Sequence, residues 1–276
     1  MSKLKSLKTV TLITLSLTLN THATHSWGSY HWARTTPQFT LKLGSNLTNG
    51  WGAHLQQASS DWNSPQNVGV EFTPLLTSIV IGTSNKRCSM VAGTTQVCNG
   101  KYGNNGWLGL ATISISGGVH ITQGSAKMND TYFLTSTYNN PNEKLHVMCQ
   151  EIAHTFGLNH QSEDGSSQNS CMDYFSNTGV NATSTLSTKP NAHDFEQLNV
   201  IYSHLDSTTT VSILSSSESS SNEGNDWGRL VHQSSNGRSS QYEQSNHDGT
   251  INITYVYWTE EAAENCKSCD HRYDHN

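Results

Sequence analysis

Cys149-Gln150-Glu151-Ile152-Ala153-His154-Thr155-Phe156-Gly157-Leu158-Asn159-His160 is the stretch on which the reading of the whole chain turns. On a helix, residues four apart project to one side, so Gln150 and His154 stand about 6 Å apart, the separation that two ligands of one metal ion need. Glu151 is turned by roughly 100° from Gln150 and advanced by one residue along the helix. Gly157 can take a positive φ and end the helix, bringing His160 back toward the face that carries His154. Downstream comes Ser170-Cys171-Met172-Asp173-Tyr174.

The helix under this stretch has a clear start. Asn140 suits the N-cap, Pro141 the first helical position and Glu143 the third, a capping-box-like beginning, and the helix is predicted to end near Gly157. Working back, Tyr102 to Gly106 is turn chemistry leading into a strand at 107–113. Phe39 to Leu43 alternates as a strand does, and Trp51, Leu55, Ala58 and Trp62 mark one face of a helix. Val68 to Phe72 and Ser78 to Ile81 read as further short strands. Working forward, residues 206–225 form a Ser/Thr-rich linker. Residues 226–276 form a small β segment, with strands at Trp227 to Val231 and Ile251 to Trp258.

At 276 residues the chain can form one good-sized domain with an appendage. Charged residues are only 13%, and Ser, Thr, Asn and Gly are abundant, the composition of a secreted, turn-rich protein. Lys3, Lys5 and Lys8 precede an apolar run from Val10 to Leu19 and then Thr21-His22-Ala23. That pattern predicts a signal peptide over 1–23 and a secreted or periplasmic destination. The run is too short to span a bilayer, so no membrane insertion is expected once the leader is removed. Removal takes away three lysines and no acid, moving the formal charge from −6 to −9. Such an acidic chain is a poor partner for nucleic acid or an anionic membrane.

Six cysteines in an exported chain favour disulfides. Proximity suggests Cys88 with Cys98 and Cys266 with Cys269, which leaves Cys149 with Cys171. The tail motif Cys266-x-x-Cys269-x-His271-x-x-x-His275 offers zinc binding as an alternative.

The stretch 149–174 resembles the metzincin metallopeptidases. Glu151, His154, Gly157 and His160 keep their long signature, and Met172 follows, whereas Gln150 stands where a histidine ligand is expected. The resemblance covers about residues 25–205. It implies an α+β fold: a catalytic domain over 24–205 with a twisted, mostly parallel sheet, an active-site helix and a Met-turn, followed by the linker and the small C-terminal β segment. It also implies that 107–113 is the sheet edge that pairs with an extended peptide substrate. Met172 would be the apolar floor of the site. Tyr174 has the spacing of the tyrosine that, in astacin-like and serralysin-like members, reaches the zinc or the oxyanion. Pro190 to Tyr202 looks like the last helix of a matrixin-type domain, with Leu198, Ile201 and Tyr202 as its apolar face and His193 capping or packing at its head.

The function so implied is a secreted zinc endopeptidase, monomeric by default. Gln150, His154 and His160 would hold Zn2+, Glu151 would serve as general base, and Tyr174 would assist. An amide oxygen is a weaker donor than an imidazole, so metal affinity falls or another group helps. His146 lies about 12 Å along the helix from His154 and is too far to help, which leaves His120. The alternative is a metzincin-like peptide- or protein-binding protein without turnover. A third class, a surface protein holding metal only for folding, fits poorly with a motif that leaves a coordination position open. Calcium, common in the matrixin branch, stays open, since no acidic loop of suitable spacing stands out. No cysteine precedes the first strand to block the metal, so latency by a cysteine switch is not expected.

Overall fold

The computed structural model describes residues 25–83, 87–212 and 226–273. The expected leader, residues 213–225 of the expected linker, and His275 lie outside these. The described residues fold as α+β on one nine-stranded sheet. In chain order its strands are β1 (His31–Trp32), β2 (Phe39–Asn46), β3 (Leu75–Ile81), β4 (Thr94–Gly100), β5 (Trp107–Ser116), β6 (His120–Asn129), β7 (Arg229–Gln233), β8 (Ser239–Ser245) and β9 (Ile251–Trp258). The helices are α1 (Trp51–Trp62), α2 (Asp130–Phe133), α3 (Pro141–His154), α4 (Ala192–Ile201) and α5 (Glu260–Asn265).

Across the sheet the order is β3-β2-β4-β6-β5-β9-β8-β7, with β1 paired to β6 beside this path. Pairings among β1, β2, β3, β4 and β6 are parallel. Those that continue through β5, β9, β8 and β7 are antiparallel. The sheet is therefore mixed, and the expectation of a mostly parallel one holds only for its N-terminal half. The connections explain the split. A crossover through α1 returns β3 parallel to β2, whereas Gly117 and Gly118, both with positive φ, turn β5 straight back into β6.

β5 lies inside the sheet. It is no edge: β6 pairs with one side and β9 with the other, in the register Ala111 to Tyr255 and Gly109 to Tyr257. The backbone groups expected to receive an extended substrate are taken by the chain's own C-terminal strand. Residues 68–72 also form no strand, because a 3-10 turn over Pro65–Val68 ends at Gly69 with φ 80° and the next strand begins at Leu75. The C-terminal strands continue the main sheet, and the polar β8 is held between β7 and β9. Residues 206–212, expected to be linker, are tied down by Asp206 N–H to the Arg34 carbonyl at 2.8 Å and Thr210 N–H to that of Ala33 at 3.0 Å.

The core lies between the sheet and the helices. α1 buries Trp51, Leu55, Ala58 and Trp62, the expected stripe, against α3. β9 alternates: Ile253, Tyr255 and Tyr257 enter the main core, while Val256 and Trp258 join Trp107, Leu110, Trp227 and Tyr242 in a second cluster. α3 begins as expected, with the Asn140 side chain accepting from Glu143 N–H at 2.8 Å. The Glu143 carboxylate turns away from the cap and accepts from Asn177 N–H at 2.7 Å, fixing the loop after Met172. α4 carries a full capping box between Asn191 and Asp194.

Disulfides join Cys88 to Cys98, Cys149 to Cys171 and Cys266 to Cys269. The tail cysteines are thus bonded to each other and supply no thiolates for zinc. Three disulfides suit an oxidising compartment, extracellular or periplasmic. No described helix is long and apolar enough to cross a membrane.

Candidate active site

α3 delivers His154 in its last turn, and Gly157, with φ 97°, turns the chain. Any Cβ at Gly157 would also run into the Tyr30 carbonyl, so glycine is needed there on two counts. The turn returns His160 until its Nε2 lies 2.9 Å from His154 Nε2. The other nitrogen of each ring is committed: His154 Nδ1 donates to the Leu158 carbonyl at 2.9 Å and His160 Nδ1 to Glu163 Oε1 at 3.0 Å. In the neutral rings the two Nε2 acceptors therefore face each other. Burial pushes His154 well below the ordinary histidine range, and the neighbouring His160 adds to this. Burial lowers His160 as well, opposed by the hydrogen bond that His160 donates to Glu163. The neutral form is the one that binds metal. Tyr174 completes the group, its hydroxyl 2.8 Å from His160 Nε2.

Gln150 is fully buried one turn earlier on α3. Its Nε2 donates to the carbonyls of Cys171 at 3.1 Å and Asp173 at 3.0 Å, while its Oε1 has no hydrogen-bond partner. Two carbonyl acceptors fix which end of the amide is nitrogen. Glu151 is also fully buried, with no partner for either oxygen, and burial pushes its carboxyl well above the usual range. It packs against β5 at Gly109, where any Cβ would collide with the carboxylate. Beneath lies the turn with Met172, part of the main core, whose N–H donates to Ser170 Oγ at 2.9 Å. Ser170 Oγ donates in turn to Asp194 of α4 at 2.7 Å, and the Cys149–Cys171 disulfide fastens the turn to α3.

The fold thus brings His154, His160 and Tyr174 into direct contact. Gln150 and Glu151 sit beside them on the same helix, each with an unpartnered buried oxygen. Among the described residues no third His, Cys, Asp or Glu joins the pair in a ligand cluster. His146 bonds to the Asp173 carbonyl at 2.9 Å and lies 3.3 Å from Asn177 Oδ1. His120 is engaged elsewhere, 3.2 Å from Asp206. His193 packs, stacked on His25 at 4.7 Å.

No protein-family model and no curated protein matches the sequence. The chemistry rests on geometry.

Several neighbours of the site had no signature in the sequence. The Tyr255 ring stacks on His154 with centroids 4.5 Å apart, and Tyr257 stands edge-on to Tyr174 at 4.8 Å. Both come from β9, whose aromatic alternation announces a strand and not its neighbour. Glu163 accepts from His160 and from His232 of β7, each at 3.0 Å. Burial raises its carboxyl, and those two hydrogen bonds outweigh it, holding the group well below the usual carboxylate range. A glutamate three residues after a histidine gives no sign of this role.

Proposed function

We propose that the chain is a zinc-dependent endopeptidase of the metzincin kind, with His154 and His160 holding the ion. The 2.9 Å approach of two Nε2 atoms whose rings donate their protons elsewhere carries this reading. The Tyr174 hydroxyl can donate to His160 Nε2 but leaves His154 Nε2 facing an acceptor, a contact that repels unless a proton or a cation lies between the rings, and burial disfavours the proton. Ligands of a tetrahedral zinc at bonds of about 2.0–2.1 Å stand roughly 3.3 Å apart, so a slight spreading of the rings admits the ion. Gln150 Oε1, buried without a partner, is the remaining neutral donor on that helix face. Zinc bound there supplies Lewis-acid polarisation and an acidified water.

The chain's own groups supply the rest. Glu151 takes a proton at its carboxylate from the attacking water and passes it to the leaving amine. The Tyr174 hydroxyl donates to the developing oxyanion. β9 fills the line along β5, with Tyr255 over His154, so β5 offers no free edge to an extended peptide.

One observation favours a second reading, a metzincin-like protein that binds peptide without turnover: Gln150 uses its amide nitrogen to hold the Cys171 and Asp173 carbonyls rather than acting as an imidazole ligand. Metal analysis of the purified chain beside a peptide-cleavage assay separates the two. Cleavage that stops on chelation, with one equivalent of zinc lost in both His154→Ala and His160→Ala, supports the peptidase. Zinc without cleavage selects the binding protein. Unchanged zinc in both variants removes the site.

A further inference from the structure

A second histidine cluster stands apart from this site. We infer that His31, His120, Asp206 and His204 form a binding site for a divalent transition-metal ion of the zinc class, bracing the first described strand to the end of α4. His31 comes from β1, His120 opens β6, and His204 and Asp206 follow α4. One ligand atom each from His31, His120 and Asp206 lies within 4.8 Å of the other two. All three imidazoles present Nε2 to the same oxygen, Asp206 Oδ1, at 3.3 Å from His31, 3.2 Å from His120 and 3.7 Å from His204. Zinc ligands stand roughly 3.3 Å apart, so His31 and His120 already hold that spacing from Asp206. The His204 side chain, 54% exposed, closes the fourth position by a small movement.

Hydrogen bonding between neutral rings and the carboxylate does not account for the His31 contact. His31 Nδ1 lies 2.6 Å from the Ser29 carbonyl, which only accepts, so the ring proton sits on Nδ1. Neutral His31 then turns a bare Nε2 toward a carboxylate oxygen, acceptor against acceptor. Protonating His31 would relieve that one contact. Oδ1 lies within hydrogen-bond distance of His31 and His120 while His204 stands just beyond it at 3.7 Å, and Oδ2 already accepts from Arg34 N–H at 2.9 Å. Charging all three rings would crowd like charges around one carboxylate. A single divalent ion satisfies every group with the rings neutral. The His31 bond to a backbone carbonyl is the outer contact that orients metal-bound histidines. Imidazole with one carboxylate selects a zinc-class ion over calcium or magnesium.

The position gives such an ion reach. Residues 25–34 back the end of α3: Trp27 N–H donates to the Gly157 carbonyl at 3.0 Å, and Trp32 Nε1 donates to that of Thr155 at 2.8 Å. Fixing His31 to His120 and Asp206 therefore steadies the turn that brings His160 to His154. This brace holds whether or not the chain cleaves peptides.

The test uses the full chain with His154→Ala and His160→Ala together, which removes the first site. This double variant is expected to keep one zinc per chain after dialysis and to melt at higher temperature when zinc is added. Adding His120→Ala should abolish both responses. Cobalt in place of zinc should give visible absorption in the double variant and none in the triple. A folded double variant without zinc, or a triple variant that keeps it, overturns the inference. The His120 side chain is 32% exposed, so its loss should not unfold the chain. Should the double variant fail to fold, His120→Ala alone is compared with wild type. Loss of one zinc is then expected, and loss of none overturns the inference.

Discussion

The two histidine clusters are built on opposite plans. His154 and His160 come from one helix and the glycine turn that ends it, and both are buried. His31, His120 and His204 come from three distant segments, and the cluster opens to solvent through His204. The first offers two imidazoles, an amide oxygen and a phenol, all neutral, so a bound ion would keep its full charge for chemistry. The second includes the Asp206 carboxylate and can fill four positions with side chains. A site that must react needs rigid spacing and an open position, whereas a brace needs remote ligands and closure. Rigid spacing writes a local motif into the sequence; bracing does not.

The comparison is most exposed at Glu151. Glu151→Gln is expected to lower peptide cleavage by about 10²–10⁴-fold, since proton transfer is lost. Zinc content should stay unchanged at both clusters. Stability should move by no more than ~1 kcal/mol, because neither carboxylate oxygen has a hydrogen bond to lose. Steady-state cleavage, elemental analysis and urea unfolding read the three quantities. Undiminished cleavage takes Glu151 out of the mechanism, and loss of zinc would make it a ligand.

What was legible follows the same division. The Trp51 to Trp62 stripe, the Asn140-Pro141 start of α3, the positive φ of Gly157 and the three disulfides are local or near-local facts, and the sequence carried them. The pairing of β9 with β5 was not legible, because alternating Ile253, Tyr255 and Tyr257 announce a strand with one buried face and leave its neighbour unspecified. β8 was missed because Ser-Ser-Gln-Tyr-Glu-Gln-Ser has no apolar alternation and owes its form to neighbours on both sides. Val68 to Phe72 looked like a strand because its apolar residues alternate, and Gly69 at φ 80° overrules them. His31 and Asp206 are far apart in sequence, and nothing local links them.

A medium-sized effect is expected from the disulfide, which belongs to the first cluster alone. Cys149→Ser with Cys171→Ser opens a loop with a sequence separation of 22, and the chain-entropy model puts the loss at about 3 kcal/mol. Urea unfolding in the presence of chelator would show it. The turn with Met172 should loosen against α3, so zinc at His154 and His160 should weaken while zinc at His120 holds. Equal weakening at both clusters would mean that they are one cooperative unit and that the contrast between them is false.

The smallest and sharpest test is Gln150→His, because two effects of opposite sign can be read separately. The amide nitrogen holds two carbonyls, of which Asp173 keeps a second donor in His146 at 2.9 Å. Only the Cys171 carbonyl is at risk of losing its side-chain partner, so stability without metal should fall by about 1 kcal/mol. Zinc affinity should rise, since an imidazole nitrogen is a better donor to zinc than an amide oxygen. Unfolding in chelator measures the first effect, and competition against a zinc chelator measures the second, with His120→Ala in the background to silence the other cluster. A fall in stability with unchanged zinc affinity would place Gln150 outside the coordination sphere. The first cluster would then hold its ion through His154, His160 and Tyr174, and Gln150 would serve the turn beneath it.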